Sequence, residues 1–199
     1  MSRYPRLSHL CPLLVSVILP LALAGCLFSS RERIPTPGGN PDSAITVTKE
    51  QNGRFLAFVG PKLSHAEPFL GVPGTNIFAL RSWLDTRTGE VASQLYVQES
   101  YYGNKRNWSM ARDGAGQTLR LIAIGIDEIT CENRCAYAEE FAASLPDALL
   151  RASAKGLTVT FSAQDGAQKT ITVPGEQIVN QLAAVDAARA GTVAPTAQK

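Results

Sequence analysis

Apolar and polar residues alternate along most of the chain between residues 45 and 173, the period of half-buried β-strands. The run Arg54-Phe55-Leu56-Ala57-Phe58-Val59 predicts a short strand, with 45–49 as a strand before it. Breaks at Gly60-Pro61, Pro68, Gly71 and Pro73-Gly74 predict a long loop over 60–76. Segments 77–85 and 91–100 then predict a hairpin closed by 86–89. Setting Leu84 against Val91 brings Leu80 opposite Leu95 and Phe78 opposite Val97, all apolar pairs on one face. Trp83 and Tyr96 fall on the other face, which predicts partial cover there too.

The second half continues the pattern. Trp108 and Met110 alternate ahead of Asp113-Gly114-Ala115-Gly116, and pairing Arg112 with Gln117 sets Met110 against Leu119 and Trp108 against Leu121. Segment 118–127 is apolar on both faces and is the predicted central strand. Segment 135–143 predicts a strand in spite of its alanines, because Ser144-Leu145-Pro146-Asp147 reads as a helix start capped by Ser144. That helix is predicted over 145–155 and ended by Gly156. Segments 157–163 and 168–173 predict a hairpin. A three-residue loop over 165–167, with Gly166 left-handed, opposes Phe161 with Ile171 and Val159 with Val173. Pro174 opens a last helix whose Ile178, Leu182 and Val185 form an apolar stripe. The pattern thus predicts one α+β domain over 45–190, an antiparallel β meander of about seven or eight strands with two short helices near the C-terminus. Residues 191–199 are a predicted disordered tail.

The start of the chain breaks this rhythm. Arg3 and Arg6 precede an apolar stretch over 10–23, interrupted by Pro12, Ser16 and Pro20, and small Ala24 and Gly25 lead into Cys26. That layout is a secretory signal, and its apolar run falls short of the ~20 residues that a membrane-spanning helix needs. Leu23-Ala24-Gly25-Cys26 resembles a bacterial lipobox. The resemblance implies removal of residues 1–25, a thioether-linked diacylglycerol on the Cys26 sulfur and acylation of the new amine. Cysteine suits the position because its thiolate is the nucleophile. Each buried methylene contributes roughly 0.8 kcal/mol, so two or three acyl chains hold firmly where one does not. Leu27, where an aspartate marks retention in the inner membrane, implies the outer membrane, facing the periplasm. Residues 26–44 then form the lipidated cysteine and a flexible tether rich in proline and glycine, reaching roughly 20–25 Å.

Charge and cysteine usage follow from this division. Of 19 basic residues, Arg3 and Arg6 leave with the signal, so 17 remain against 17 acidic ones. No basic field is left to attract nucleic acid. Cys11 leaves as well and Cys26 carries lipid, so Cys131 and Cys135 are the pair left to form a disulfide in an oxidising compartment. His65 is the sole histidine of the mature segment and lies in the glycine/proline-rich loop, leaving a nucleophile no evident base and a metal few ligands. No phosphate loop, zinc-helix motif or nucleophile elbow occurs. Glu139 shares a face with Tyr137 and Phe141, which predicts a partly buried carboxylate paired to an arginine such as Arg120 or Arg151. Tyr96, Tyr101, Tyr102 and Trp108, with Lys105 and Arg106 among them, are candidate binding aromatics for a protein or glycan, and core packing explains them as well.

The rhythm from Tyr96-Val97 through Trp108-Ser109-Met110, Ile126-Asp127, the Cys131-Glu132-Asn133-Arg134-Cys135 turn and Leu145-Pro146-Asp147 to the final hairpin and helix resembles a group of uncharacterised proteobacterial lipoproteins. No activity and no functional residue travel with that resemblance. The expectation is a membrane-anchored envelope lipoprotein with no cofactor beyond the lipid on Cys26, acting as a non-catalytic binding or accessory protein for an envelope protein or glycan. The alternative is a periplasmic hydrolase that acts on an envelope polymer through acidic residues.

Overall fold

The computed structural model describes residues 31–34 and 44–192. The predicted signal peptide, Cys26 and residues 193–199 lie outside the described residues. The elements in chain order are β1 (Arg31–Ile34), β2 (Ile45–Glu50), β3 (Phe55–Val59), β4 (Leu63–Ser64), β5 (Ile77–Asp85), β6 (Val91–Tyr102), β7 (Trp108–Asp113), β8 (Thr118–Leu119), β9 (Leu121–Thr130), β10 (Ala136–Leu145), α1 (Asp147–Ala152), β11 (Gly156–Ala163), β12 (Gln168–Pro174) and α2 (Gly175–Thr192). The chain is mostly antiparallel sheet with two helices. It is divided between an eight-stranded sheet, ordered β1-β2-β3-β5-β6-β10-β9 with β4 beside β5, and a four-stranded sheet, ordered β12-β11-β7-β8.

This corrects the single meander. The chain leaves the large sheet after β6, builds β7 and β8 in the small one, and returns through Arg120 to β9. β10 then fills the slot between β6 and β9, and β11 and β12 complete the small sheet. Residues Arg31–Ile34, read from sequence as tether, are a strand paired with β2.

The core lies between the two sheets. Leu80, Leu95, Val97 and Phe141 of the large sheet meet Trp108, Val159, Phe161, Ile171 and Val173 of the small one. Phe141 stacks on Trp108 at 4.8 Å between ring centroids and takes the edge of Phe161 at 5.0 Å, geometries that aromatic quadrupoles favour. α2 lies beside the small sheet, with Ile178 in the main core and Ala184 and Val185 against Ile45, Phe58 and Leu84. Gln181, one turn from the apolar stripe, is also buried and donates to the Phe58 carbonyl and the Ser82 hydroxyl at 3.1 Å. Gly175 starts this helix where a Cβ would sit 2.2 Å from the Ala154 carbonyl oxygen, so only glycine fits.

Register shows where local pattern suffices. β5 and β6 pair as read, with Leu84 opposite Val91, Leu80 opposite Leu95 and Phe78 opposite Val97. The β7–β8 register is one residue off the expectation: Ala111 faces Leu119 and Arg112 faces Thr118. Asp113 causes the shift, because its Oδ1 accepts the N–H groups of Ala115 and Gln117 and closes the turn one residue later. The β11–β12 loop has three residues, but they are 164–166, so Phe161 faces Lys169 and Val159 faces Ile171. Gly166 is left-handed, at φ +90°. Ser144 caps no helix. It belongs to β10, donating its N–H to the Arg120 carbonyl, and α1 begins after Pro146 and runs only to Ala152.

Candidate functional site

β6 and β10 run side by side, and the apolar face they share turns polar toward one end. Phe141 faces Val97, and next along the same face Glu139 faces Glu99 and Tyr137 faces Tyr101. Two carboxylates directly opposed on a buried face repel each other, and each is compensated separately. Glu99 Oε1 accepts Arg106 Nη1 at 2.8 Å and Lys169 Nζ at 3.1 Å. Glu139 Oε1 accepts the Tyr101 hydroxyl and the backbone N–H groups of Arg106 at 2.7 Å and Asn107 at 3.2 Å. The segment after β6 therefore folds back over the strand ends, and the Arg106 guanidinium lies 3.9 Å from the Tyr101 ring centroid. Burial, then the Glu139 carboxylate, pushes the Tyr101 phenol far above its ordinary pKa.

Glu139 is fully buried where the sequence predicts partial burial, and its partners are a tyrosine and two backbone amides instead of an arginine. Arg151 instead pairs with Asp147 and Asp186, and Arg120 is exposed. Glu99 and Lys169 join the cluster without a place among the sequence candidates, and Arg106 stands there only as a neighbour of the aromatics. Glu99 stands two residues after Val97 just as Glu139 stands two before Phe141, and that symmetry was the available signal.

His65 lies at the rim of this cluster. Its Nε2–H donates to the Gln98 carbonyl at 3.0 Å, and burial lowers its pKa below the usual 6.5. It is half-buried against β6 rather than free in the loop. Asn76 anchors that loop, accepting the Ser100 N–H and donating to the Glu67 carbonyl.

The four aromatics do not form one edge. Tyr96, Tyr101 and Trp108 are buried, and Tyr102 is 38% exposed with its ring 5.0 Å from that of Phe69. Tyr96 lies under Arg81 on the outer face of the large sheet, and burial, then Glu140, raises its pKa to about 12.

A cavity of about 340 Å³ opens between β9, β10 and the start of β7, lined by Trp108, Ile124, Ile126, Glu139, Phe141 and Gln164 among others. Its outer wall is β9, the strand expected at the centre. β9 lies at the edge of the large sheet, bonded only to β10. Two β-bulges each insert one residue, Ile124 and Ile129, and both are 45% exposed, with Ile126 at 41%. Bulges re-aim side chains. Here they put Ile126 opposite Glu139 and Ala123 opposite Phe141 on the cavity side.

At the far end of β9, Cys131 and Cys135 are bridged, 2.07 Å between sulfurs, and close the turn into β10. Among the described residues no group of three or more His, Cys, Asp or Glu side chains is placed to hold a metal, and no helix is long and apolar enough to cross a membrane. No family model, curated protein or solved structure matches the chain.

Proposed function

We propose that the mature protein is a lipid-anchored, non-catalytic binding protein of the bacterial envelope, one of the proteobacterial lipoproteins that its sequence resembles. In this reading Cys26 holds it in the outer membrane, facing the periplasm, and an extended segment of a partner protein adds to the free edge of β9. The observation that carries it is the contrast among the four sheet edges. Natural proteins blunt open edges with charge, proline or brevity. β1 carries Arg31, Glu32 and Arg33, β12 carries Lys169 and ends in Pro174, and β8 has two residues. β9 runs for ten residues with no lysine, arginine or proline, its charges are confined to the adjacent Asp127 and Glu128, and across its two bulges it exposes three isoleucines.

Placement supports the same reading. Four residues separate Cys26 from Arg31, at most about 18 Å of chain. β1 and β9 are opposite edges of the sheet, six strand spacings or about 29 Å apart. Anchoring at one edge leaves the other facing the periplasm.

Photo-crosslinking side chains at Ile124 and Ile129, with a control at Thr172 on β12, test this in intact cells. A discrete adduct from both β9 positions, absent at Thr172 and abolished by Ile126→Lys, is the expected result. Equal yield at Thr172, or no adduct from β9, overturns it. The hydrolase alternative draws on Glu139 lining the cavity, but one of its oxygens already accepts three hydrogen bonds. Release of soluble fragments from purified peptidoglycan, lost in Glu139→Gln, would establish it in place of the binder.

A further inference from the structure

The cavity beside β9 is lined by a buried carboxylate with an unpaired oxygen, and by Trp108, whose Nε1–H is buried without a partner among the described residues. Glu139 is 2% exposed and three donors converge on its Oε1. Its Oε2 accepts no hydrogen bond among the described residues. The rest of the lining is Trp108, Phe141, Ala123, Ile124, Gly125 and Ile126 with the amides of Asn107 and Gln164, and it contains no basic residue; Glu140 borders it through the strand while its carboxylate meets Tyr96 on the outer face. Glu99 differs in charge balance: Arg106 and Lys169 both pair with its Oε1, and its Oε2 is buried without a partner among the described residues and does not line the cavity. A largely apolar cavity that holds an unpaired carboxylate oxygen is complementary to an alkyl chain that carries a cation.

We propose that this cavity is the specificity pocket of the β9 edge and takes a lysine or arginine side chain of the docked segment. The inference rests on the strand-addition reading above. Reach decides the residue type. A segment paired to β9 lies two strand spacings from β10, about 10 Å from Glu139, which short side chains cannot cross and a lysine or arginine stem can. Where the partner residue stands beside Ile126, which itself faces Glu139, its stem would run over Ile126 and Phe141 and its charge would meet Oε2. Such a charge-assisted bond in a largely apolar site is among the stronger polar contacts.

The test uses the lipidated protein in nanodiscs with labelled isoleucine methyl groups and the probes n-butylammonium and n-butylguanidinium, with butyrate and 1-butanol as controls. The two cations should shift the Ile124 and Ile126 methyl signals saturably and the controls should not. Glu139→Gln should weaken the cations by about tenfold or more. Because that residue is buried, a second variant acts from the exposed rim: Ile126→Arg places a cation of its own at the mouth, and the Ile124 signal should then ignore both probes. No saturable shift with either cation, or equal shifts with butyrate, overturns the proposal. If the cations fail while the β9 crosslinks persist, only the pocket is lost. If the cations bind while the crosslinks fail, strand addition is lost and the pocket stands as a site for small organic cations.

Discussion

Single side chains show how this fold tolerates charge inside. Glu99 and Glu139 stand face to face across two buried strands, and each relies on the segment after β6, one through the Arg106 guanidinium and the other through backbone amides. His65 at the rim is held differently, since burial keeps its pKa below the unfolded value near 6.5. Below that value the unfolded chain binds more protons than the folded one, so stability falls as pH drops through about 6.5 and levels off once the folded imidazole also protonates. Denaturant titrations at roughly pH 5 to 8 should show this slope, and His65→Gln should flatten it. An unchanged slope in the variant would remove His65 as the cause. At this scale the sequence read partially. Alternation placed Glu139 on the apolar face with Phe141, because spacing along one strand is local. Its partners come from Tyr101 and the 105–107 turn, which only folding brings there, so spacing pointed to arginines that lie elsewhere.

At the level of elements, apolar pattern located nearly every strand but said less about where each one sits. The β5–β6 register was legible because three apolar pairs agree on one face. The other two hairpins slid because a turn side chain or a loop of fixed length, rather than the pairs, closes them. β9 was misplaced because a strand apolar on both faces reads as central, whereas here that surface is left open. β10, predicted as a strand in spite of its alanines, is flanked on both sides, by β6 and β9. The Cys131–Cys135 bridge joins these two strands at sequence separation 4. Closing so short a loop stabilises by about 2 kcal/mol on the chain-entropy model. Replacing both cysteines by serine should cost about that much in chemical denaturation, with faster amide exchange confined to the 128–138 end of the hairpin. Loss of all cooperative unfolding would show instead that the bridge holds the whole domain.

For the whole molecule, the decisive relation is between the two ends of the large sheet. If Cys26 carries lipid, spin-labelled lipids should broaden signals from β1 and β2 and spare those of β9; uniform broadening would contradict the proposed orientation. The four-residue strand β1 then acquires a mechanical meaning. A protein fixed to a membrane at one edge and gripped at the other is loaded across its strands, so the hydrogen-bonded rows open one after another like a zip. The β1–β2 row is the shortest on the anchored side, with four paired positions against five between β2 and β3. It would part first and free residues 31–44, on the order of 45 Å of slack, before the body of the domain felt the pull. β1 in that setting is a fuse that yields length under tension and re-forms when the load is gone.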